Sequence, residues 1–71
     1  MRIQVTGEDI ADGERGSIAN GTRCPVARAL ARHGLVLALC RFTEASKMEV
    51  FRFMADFDLG RGVQSFEFEV E

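Results

Sequence analysis

Tryptophan and tyrosine are absent from this chain of 71 residues, which leaves six phenylalanines as its only aromatic side chains. Trp and Tyr are, with Arg, the residues that most often anchor the centre of a protein interface. Their absence argues against a large hydrophobic interface. The composition of 46% hydrophobic and 28% charged residues is nevertheless ordinary for a globular protein and too apolar for disorder. The length therefore predicts one domain, residues 1–71, of modest stability.

Cysteine and histidine are also scarce: the chain has Cys24, Cys40 and His33. A structural zinc site usually needs four such ligands, so we expect no metal and no cofactor. We expect free thiols, because the protein is predicted to occupy a reducing compartment. A nucleophilic Cys24 would need His33 within reach, but the two lie about 13 Å apart at the ends of one predicted helix. The sequence thus predicts no catalytic residues and no enzymatic activity.

Long apolar runs are missing as well. The longest, Leu35 to Cys40, is strand-sized and far below the roughly 20 residues of a membrane span. The chain opens on a strand-like alternation, Arg2 to Thr6, instead of a signal peptide. We therefore expect a cytoplasmic protein that does not bind a membrane.

The first half of the chain predicts a strand and two helices. Arg2 to Thr6 alternates as a strand does, and Thr6 can then cap a short helix from Glu8 to Asp12 that Gly13 ends. The glycine-rich residues 14–23 are typical of a loop. Pro25 suits the first position of a second helix, with Cys24 as its cap and Gly34 at its end. On that helix His33 falls on the apolar side with Val26 and Leu30, and Arg28 and Arg32 fall on the solvent side.

The second half predicts a central strand, a helix and a last strand. Leu35 to Phe42 is almost continuously apolar, as in a strand covered on both faces. Ser46 and Glu49 form a capping-box pattern, which predicts a third helix from there to about Asp58. A competing interpretation makes Met48 to Met54 a strand that forms a hairpin with Leu35–Phe42.

The C-terminal segment has the clearest pattern. Phe66, Phe68 and Val70 alternate with Glu67, Glu69 and Glu71, which predicts a strand with one core face and one row of carboxylates. The whole order of elements predicts an α+β fold. We expect a small, mostly antiparallel sheet of about three strands with two main helices and one short helix.

Charge is segregated along the chain, whose net charge is −2. Residues 15–41 contain five arginines and no acid, and both flanking segments are acidic. An acidic surface could bind a basic protein partner in place of a phosphate backbone. The arginines could instead contact nucleic acid, although nucleic-acid-binding domains are usually basic overall and this chain is net acidic. The third interpretation is a solvated surface whose charges only maintain solubility.

Several short motifs also carry a family resemblance. They are Val5-Thr6-x-Glu8-Asp9-Ile10-x-x-Gly13, Cys24-Pro25-Val26-Ala27-x-Ala29-Leu30, Phe53-Met54-x-x-Phe57-Asp58-x-Gly60 and Val63-x-x-Phe66-x-Phe68. With these motifs, nearly the whole chain resembles a widespread group of short proteins from phages and prophages. It is shorter than typical members between Phe42 and Ser46.

The chain also resembles the anti-CRISPR inhibitors that such mobile elements encode, specifically those of the type I-C system. This resemblance implies stoichiometric binding to a CRISPR effector subunit, where that subunit handles DNA.

Together, the charge pattern and the resemblance give a first hypothesis of function. The chain would be a non-enzymatic inhibitor that docks through an acidic, nucleic-acid-mimicking surface and blocks DNA recognition, without binding nucleic acid itself. The predicted contact residues are Glu67, Glu69, Glu71, Asp56 and Asp58. The alternative is a small nucleic-acid-binding accessory protein that uses Arg28 and Arg32.

Overall fold

The computed structural model describes residues 1–15 and 23–71 and has an α+β fold, as the sequence predicts. The predicted loop of residues 14–23 lies mostly outside the described residues. In chain order, the elements are strand β1 (Arg2–Val5), helices α1 (Gly7–Asp12) and α2 (Pro25–Ala31), a 3₁₀ helix (Leu37–Leu39), helix α3 (Glu44–Asp58) and strand β2 (Phe66–Glu69).

The sheet pairs the two ends of the chain. Strands β1 and β2 are antiparallel, with Ile3 opposite Phe68 and Val5 opposite Phe66. These four apolar side chains share the inner face, because neighbouring residues of a strand point to opposite faces. The backbone groups of Met1 and Val70 exchange two further hydrogen bonds, of 2.9 and 3.0 Å, beyond the end of β1. The predicted antiparallel pairing is confirmed.

The prediction of about three strands is wrong for the described residues, because Leu35–Phe42 is not a strand. Gly34 adopts a φ of +72°, and Leu37–Leu39 then forms the 3₁₀ helix. Val36 and Leu39 are 53% and 82% exposed, so nothing covers a second face here, as a central strand would require. The expected strand is reduced to a single bridge between Phe42 and Val70.

The first two helices are capped as their sequences predict. The hydroxyl of Thr6 accepts a hydrogen bond from the amide of Asp9 at 3.2 Å, and the carboxylate of Asp9 accepts one from the amide of Thr6 at 2.9 Å. On α2, the thiol of Cys24 accepts a bond from the amide of Ala27 at 3.3 Å. His33 is exposed, contrary to its predicted apolar position, because α2 ends at Ala31 and the chain turns before His33.

Helix α3 spans 15 residues, which confirms the helical interpretation of Met48–Asp58 over the hairpin. It starts two residues before the predicted cap, because Thr43 and not Ser46 is the capping residue. The hydroxyl of Ser46 faces β2 instead and accepts a hydrogen bond from the amide of Glu69 at 2.8 Å. Ser46 thereby satisfies a backbone group on the free edge of the sheet.

The core lies between the inner face of the sheet and helices α2 and α3. Leu30 and Val26 of α2 pack there with Val50 and Phe53 of α3. The phenylalanine rings contact one another, with ring centroids 4.7 Å apart for Phe53 and Phe66 and 5.6 Å apart for Phe42 and Phe68. Among the described residues no helix packs on the outer face of the sheet, where Arg2, Gln4 and Glu67 are exposed.

In residues 1–15 and 23–71, no helix combines the length and the apolar character needed to cross a bilayer.

Candidate partner-binding surfaces

The carboxylates of Glu67 and Glu69 lie on the solvent side of the sheet, where the alternation of β2 places them. Arg2 reaches across from β1 and contacts both, with Nη1 at 2.8 Å from Glu67 and Nη2 at 3.1 Å from Glu69. The pairing register explains this, because Arg2 lies directly opposite Glu69. The hydrogen bonds with Glu67 and then Glu69 raise the pKa of Arg2.

Arg2 neutralises only part of this charge. One guanidinium faces two carboxylates, so the group keeps a net negative charge. All three side chains are about half exposed to water, and exposed ion pairs of this kind contribute little to stability. A positively charged side chain of a partner can therefore compete with Arg2 for Glu67 and Glu69.

Glu71 continues the row beyond the end of β2. Its amide donates a hydrogen bond to the carbonyl of Arg41 at 2.7 Å, which holds the C-terminal residue against the segment before α3. Its carboxylate forms no ion pair with any residue that the structure describes. Glu71 also borders two surface depressions beside the 3₁₀ helix.

Asp56 and Asp58 have other neighbours and are not part of this row. Asp56 pairs with Arg61 at 3.1 Å and borders a depression between α3 and residues 62–66. Asp58 lies near Cys24. Burial raises the pKa of the Cys24 thiol, and the negative charge of Asp58 raises it further. The structure thus groups Glu67 with Glu69 through Arg2, places Glu71 two residues beyond the end of β2, and gives the two aspartates different contacts.

Arg28 and Arg32, the residues of the alternative hypothesis, are about half exposed but form ion pairs with Asp9. The carboxylate of Asp9 is 2% exposed and is paired with Arg32, whose guanidinium also donates a hydrogen bond to the carbonyl of Gln4 at 2.8 Å. Arg28 lies 4.0 Å from Asp9 and 3.6 Å from Asp12. Since two carboxylates already balance these two arginines, the geometry gives little support to a nucleic-acid contact there.

The charge of Asp9 is stabilised despite its burial. Burial alone raises the pKa of a carboxyl group. The hydrogen bonds from Arg32 and from the amide and hydroxyl of Thr6 outweigh that effect, so the pKa of Asp9 is below its ordinary value. Asp9 therefore joins three elements: it caps α1, anchors α2 through Arg32 and, through the same arginine, contacts β1.

The segregation of charge in the sequence is largely cancelled in space. Besides the Asp9 cluster, Glu14 and Arg23 pair at 3.4 Å, and the amide of Glu14 donates a hydrogen bond to the carbonyl of Arg23 at 2.8 Å. The acidic first segment thus lies against the basic middle segment. Part of the charge in these segments therefore serves the packing of the fold, and the C-terminal row is one of the charged groups that remain exposed.

A second surface, which no pattern in the sequence marks, lies beside the 3₁₀ helix. We call it the apolar groove: two adjoining depressions that share Cys40, Arg41 and Glu71. Large apolar side chains border it and are exposed, with Leu39 at 82% and Phe51 at 52%. Leu35–Phe42 and the Phe51 side of α3 are apolar in sequence, but an apolar run does not reveal which of its residues stay uncovered.

Cys24 and His33 do not form a nucleophile and base pair. The raised pKa of Cys24 favours the thiol over the reactive thiolate, and its sulfur already serves as the cap of α2. His33 is exposed beyond the other end of that helix. Within the ranges that the structure covers, there is also no group of three or more His, Cys, Asp or Glu residues placed to hold a metal ion.

Comparison with protein-family models, with curated proteins and with solved structures found no match for this chain.

Proposed function

We propose that this chain is a non-enzymatic inhibitor of the anti-CRISPR type, carried by a phage or another mobile element. It binds a subunit of a CRISPR effector, of the type I-C system, in the cytoplasm of the host cell. Two features support the proposal: the resemblance of the sequence motifs to those of short phage and prophage proteins, and a row of carboxylates on the solvent side of the sheet. The observation that carries it is the shared solvent face of Glu67 and Glu69, which Glu71 extends.

The row is suited to a site that normally receives a nucleic-acid backbone. Alternate residues of a strand are separated by about 6.7 Å along it, so Glu67 and Glu69 present two carboxylates on one face of β2, and Glu71 follows two residues later. Each DNA strand presents one phosphate about every 3.4 Å along the helix axis, and proteins bind these phosphates with Lys and Arg. Carboxylates at roughly twice that spacing can engage the same cations. Occupation of those cations by the inhibitor then blocks DNA recognition.

Arg2 limits how strongly this row attracts a partner. It must share Glu67 and Glu69 with the partner's cations, or move aside, when the complex forms. Because all three side chains are solvent-exposed, that rearrangement is easy. Glu71, which has no ion pair among the described residues, is available without any rearrangement. We expect it to be the strongest single contact of the row.

The proposal is tested in cells whose type I-C system restricts a targeted phage, with plaque formation as the measure of inhibition. Replacing Glu67, Glu69 and Glu71 with Gln is expected to reduce inhibition at least about tenfold, as loss of the central contacts of an interface does. Replacing Arg2 with Ala is expected to preserve or strengthen it, because a competitor for the carboxylates is gone.

The matched control replaces Glu8, Glu44 and Glu49 with Gln. These side chains are exposed, lie outside the row, and change the net charge by the same amount. We expect this variant to inhibit like the unmodified protein. Full inhibition by the row variant, or an equal loss in the control, would contradict the proposal.

A further inference from the structure

The apolar groove lies beside the 3₁₀ helix and meets the carboxylate row at Glu71. One depression, of about 490 Å³, lies between the 3₁₀ helix and α3 and is bordered by Leu37, Phe42, Phe51 and Met54. The other, of about 380 Å³, lies between the 3₁₀ helix and the paired chain ends. Since they share Cys40, the two form one elongated groove. Exposed apolar groups that gather in this way mark interaction sites more often than scattered ones do.

The charges around the groove indicate what it can accept. Arg41 borders both depressions, and Lys47 borders the one beside α3. Neither forms an ion pair with another residue in the described ranges. This separates them from Arg2, Arg28 and Arg32, whose charges are balanced within the fold. Two available cations beside an apolar floor call for an occupant with both apolar side chains and carboxylates.

A second copy of this chain fits the groove poorly. A two-fold dimer brings the same patch of both copies together. It would face two copies of Arg41 and Lys47 with only one Glu71 from each, so like charges would predominate across the interface. A partner that supplies its own carboxylates has no such penalty.

We propose that the apolar groove is a second docking surface that binds an acidic amphipathic segment of a partner protein. The apolar side chains of that segment pack against Leu37, Leu39 and Phe51, and its carboxylates pair with Arg41 and Lys47. This goes beyond the proposed function, which concerns a basic surface of the partner and the opposite sign of charge. The groove and the carboxylate row meet at Glu71, so one partner can contact both surfaces.

The test is a selection of random 12-residue peptides displayed on a library and captured by the purified protein. The selected peptides are expected to be enriched in large apolar residues together with Asp and Glu. Their affinities are then measured by isothermal titration calorimetry for the unmodified protein and three variants. These are Leu39→Ser with Phe51→Ser, Arg41→Glu with Lys47→Glu, and the matched control Met48→Ser with Leu59→Ser, whose two apolar side chains are also exposed but do not border the groove.

We expect the first two variants to weaken binding by about tenfold or more and the control to bind like the unmodified protein. None of the substitutions changes Glu67, Glu69 or Glu71, and basic peptides that the carboxylate row captures are removed by counter-selection against the variant Leu39→Ser with Phe51→Ser. If the remaining peptides are basic or uncharged, or if none remain, the proposal is overturned. A dimer in sedimentation velocity that Leu39→Ser with Phe51→Ser converts to a monomer also overturns it, because a second copy then fills the groove.

Discussion

Replacing Asp9 with Ala is expected to lower the free energy of unfolding by about 2–3 kcal/mol. Removing one partner of a buried ion pair usually costs about 3–5 kcal/mol, and loss of a helix cap about 1 kcal/mol. The cost is smaller here because the guanidiniums of Arg28 and Arg32 are half exposed and can turn to water. For a domain of this size, the change lowers Tm by roughly 10–20 °C.

Thermal unfolding followed by circular dichroism measures this difference. Asp12→Ala is the matched control, because Asp12 also pairs with Arg28, at 3.6 Å, but its side chain is mostly exposed. Its loss is expected to shift Tm by a few degrees at most, as for other exposed ion pairs. Equal Tm shifts for the two variants would show that the buried ion pair of Asp9 stabilises the fold no more than the exposed ion pair of Asp12.

The same residue also makes stability depend on pH. The pKa of Asp9 is lower in the folded protein than its ordinary value of 3.8, so the folded state favours the ionised form. This contribution is fully present above about pH 4 and is lost as the pH falls through the folded pKa. Asp9→Asn removes it at every pH. The stability gap between the unmodified protein and this variant should therefore shrink on acidification below about pH 4.

Replacing Phe68 with Ala is expected to have the largest effect on stability, about 3–5 kcal/mol. Phe68 is 2% exposed, lies opposite Ile3 in the sheet, and contacts the rings of Phe42 and Phe66 at centroid distances of 5.6 and 5.8 Å. At about 0.05–0.15 kcal/mol per residue, the total stability of this chain is of the order of 4–10 kcal/mol. The substitution can therefore unfold a large fraction of the protein at 37 °C.

Urea denaturation at 25 °C provides the measurement, and Phe51→Ala provides the control. Phe51 has the same side chain but is 52% exposed at the groove, so its truncation should change the free energy of unfolding by less than about 1 kcal/mol. A comparable loss for both variants would mean that the ring cluster around Phe68 is not the centre of the core.

The sequence predicts local structure well where a short pattern determines it. The alternation Phe66 to Val70 correctly separates the core face of β2 from its solvent face, because the period of a strand is two residues. The caps at Thr6 and Cys24 are also confirmed, since each depends on residues no more than three positions away. The α+β class follows from the order of these elements.

Predictions that depend on distant contacts were less successful. Leu35–Phe42 has the composition of a central strand, but the fold offers it no second layer, so it forms a 3₁₀ helix and leaves Leu39 exposed. Ser and Thr are both common helix-capping residues, so the sequence does not distinguish Ser46 from Thr43. In the structure Thr43 caps α3, and the hydroxyl of Ser46 accepts a hydrogen bond from the amide of Glu69 in β2. The role of Ser46 depends on a hydrogen bond to a residue 23 positions away in the chain, which a local pattern does not show.

For the candidate surfaces, too, the sequence predicts what a local pattern determines and not what depends on distant contacts. The solvent face of Glu67 and Glu69 follows from the strand period, but their contact with Arg2 depends on pairing between the two chain ends. Arg28 and Arg32 are about half exposed, as their predicted solvent side implies, but their ion pairs with Asp9 could not be predicted, because they depend on the packing of α1 against α2. The apolar groove could not be predicted, because the sequence does not show which leucines are buried and which are exposed.

We propose that the carboxylate row displaces DNA from a CRISPR effector. The most direct test is an electrophoretic mobility shift of target DNA by a purified type I-C effector complex, titrated with this protein. We expect DNA binding to be lost near one molecule of inhibitor per binding subunit, and we expect the variant with Gln at residues 67, 69 and 71 to fail to compete. DNA binding that persists in molar excess of the unmodified protein would contradict the proposal.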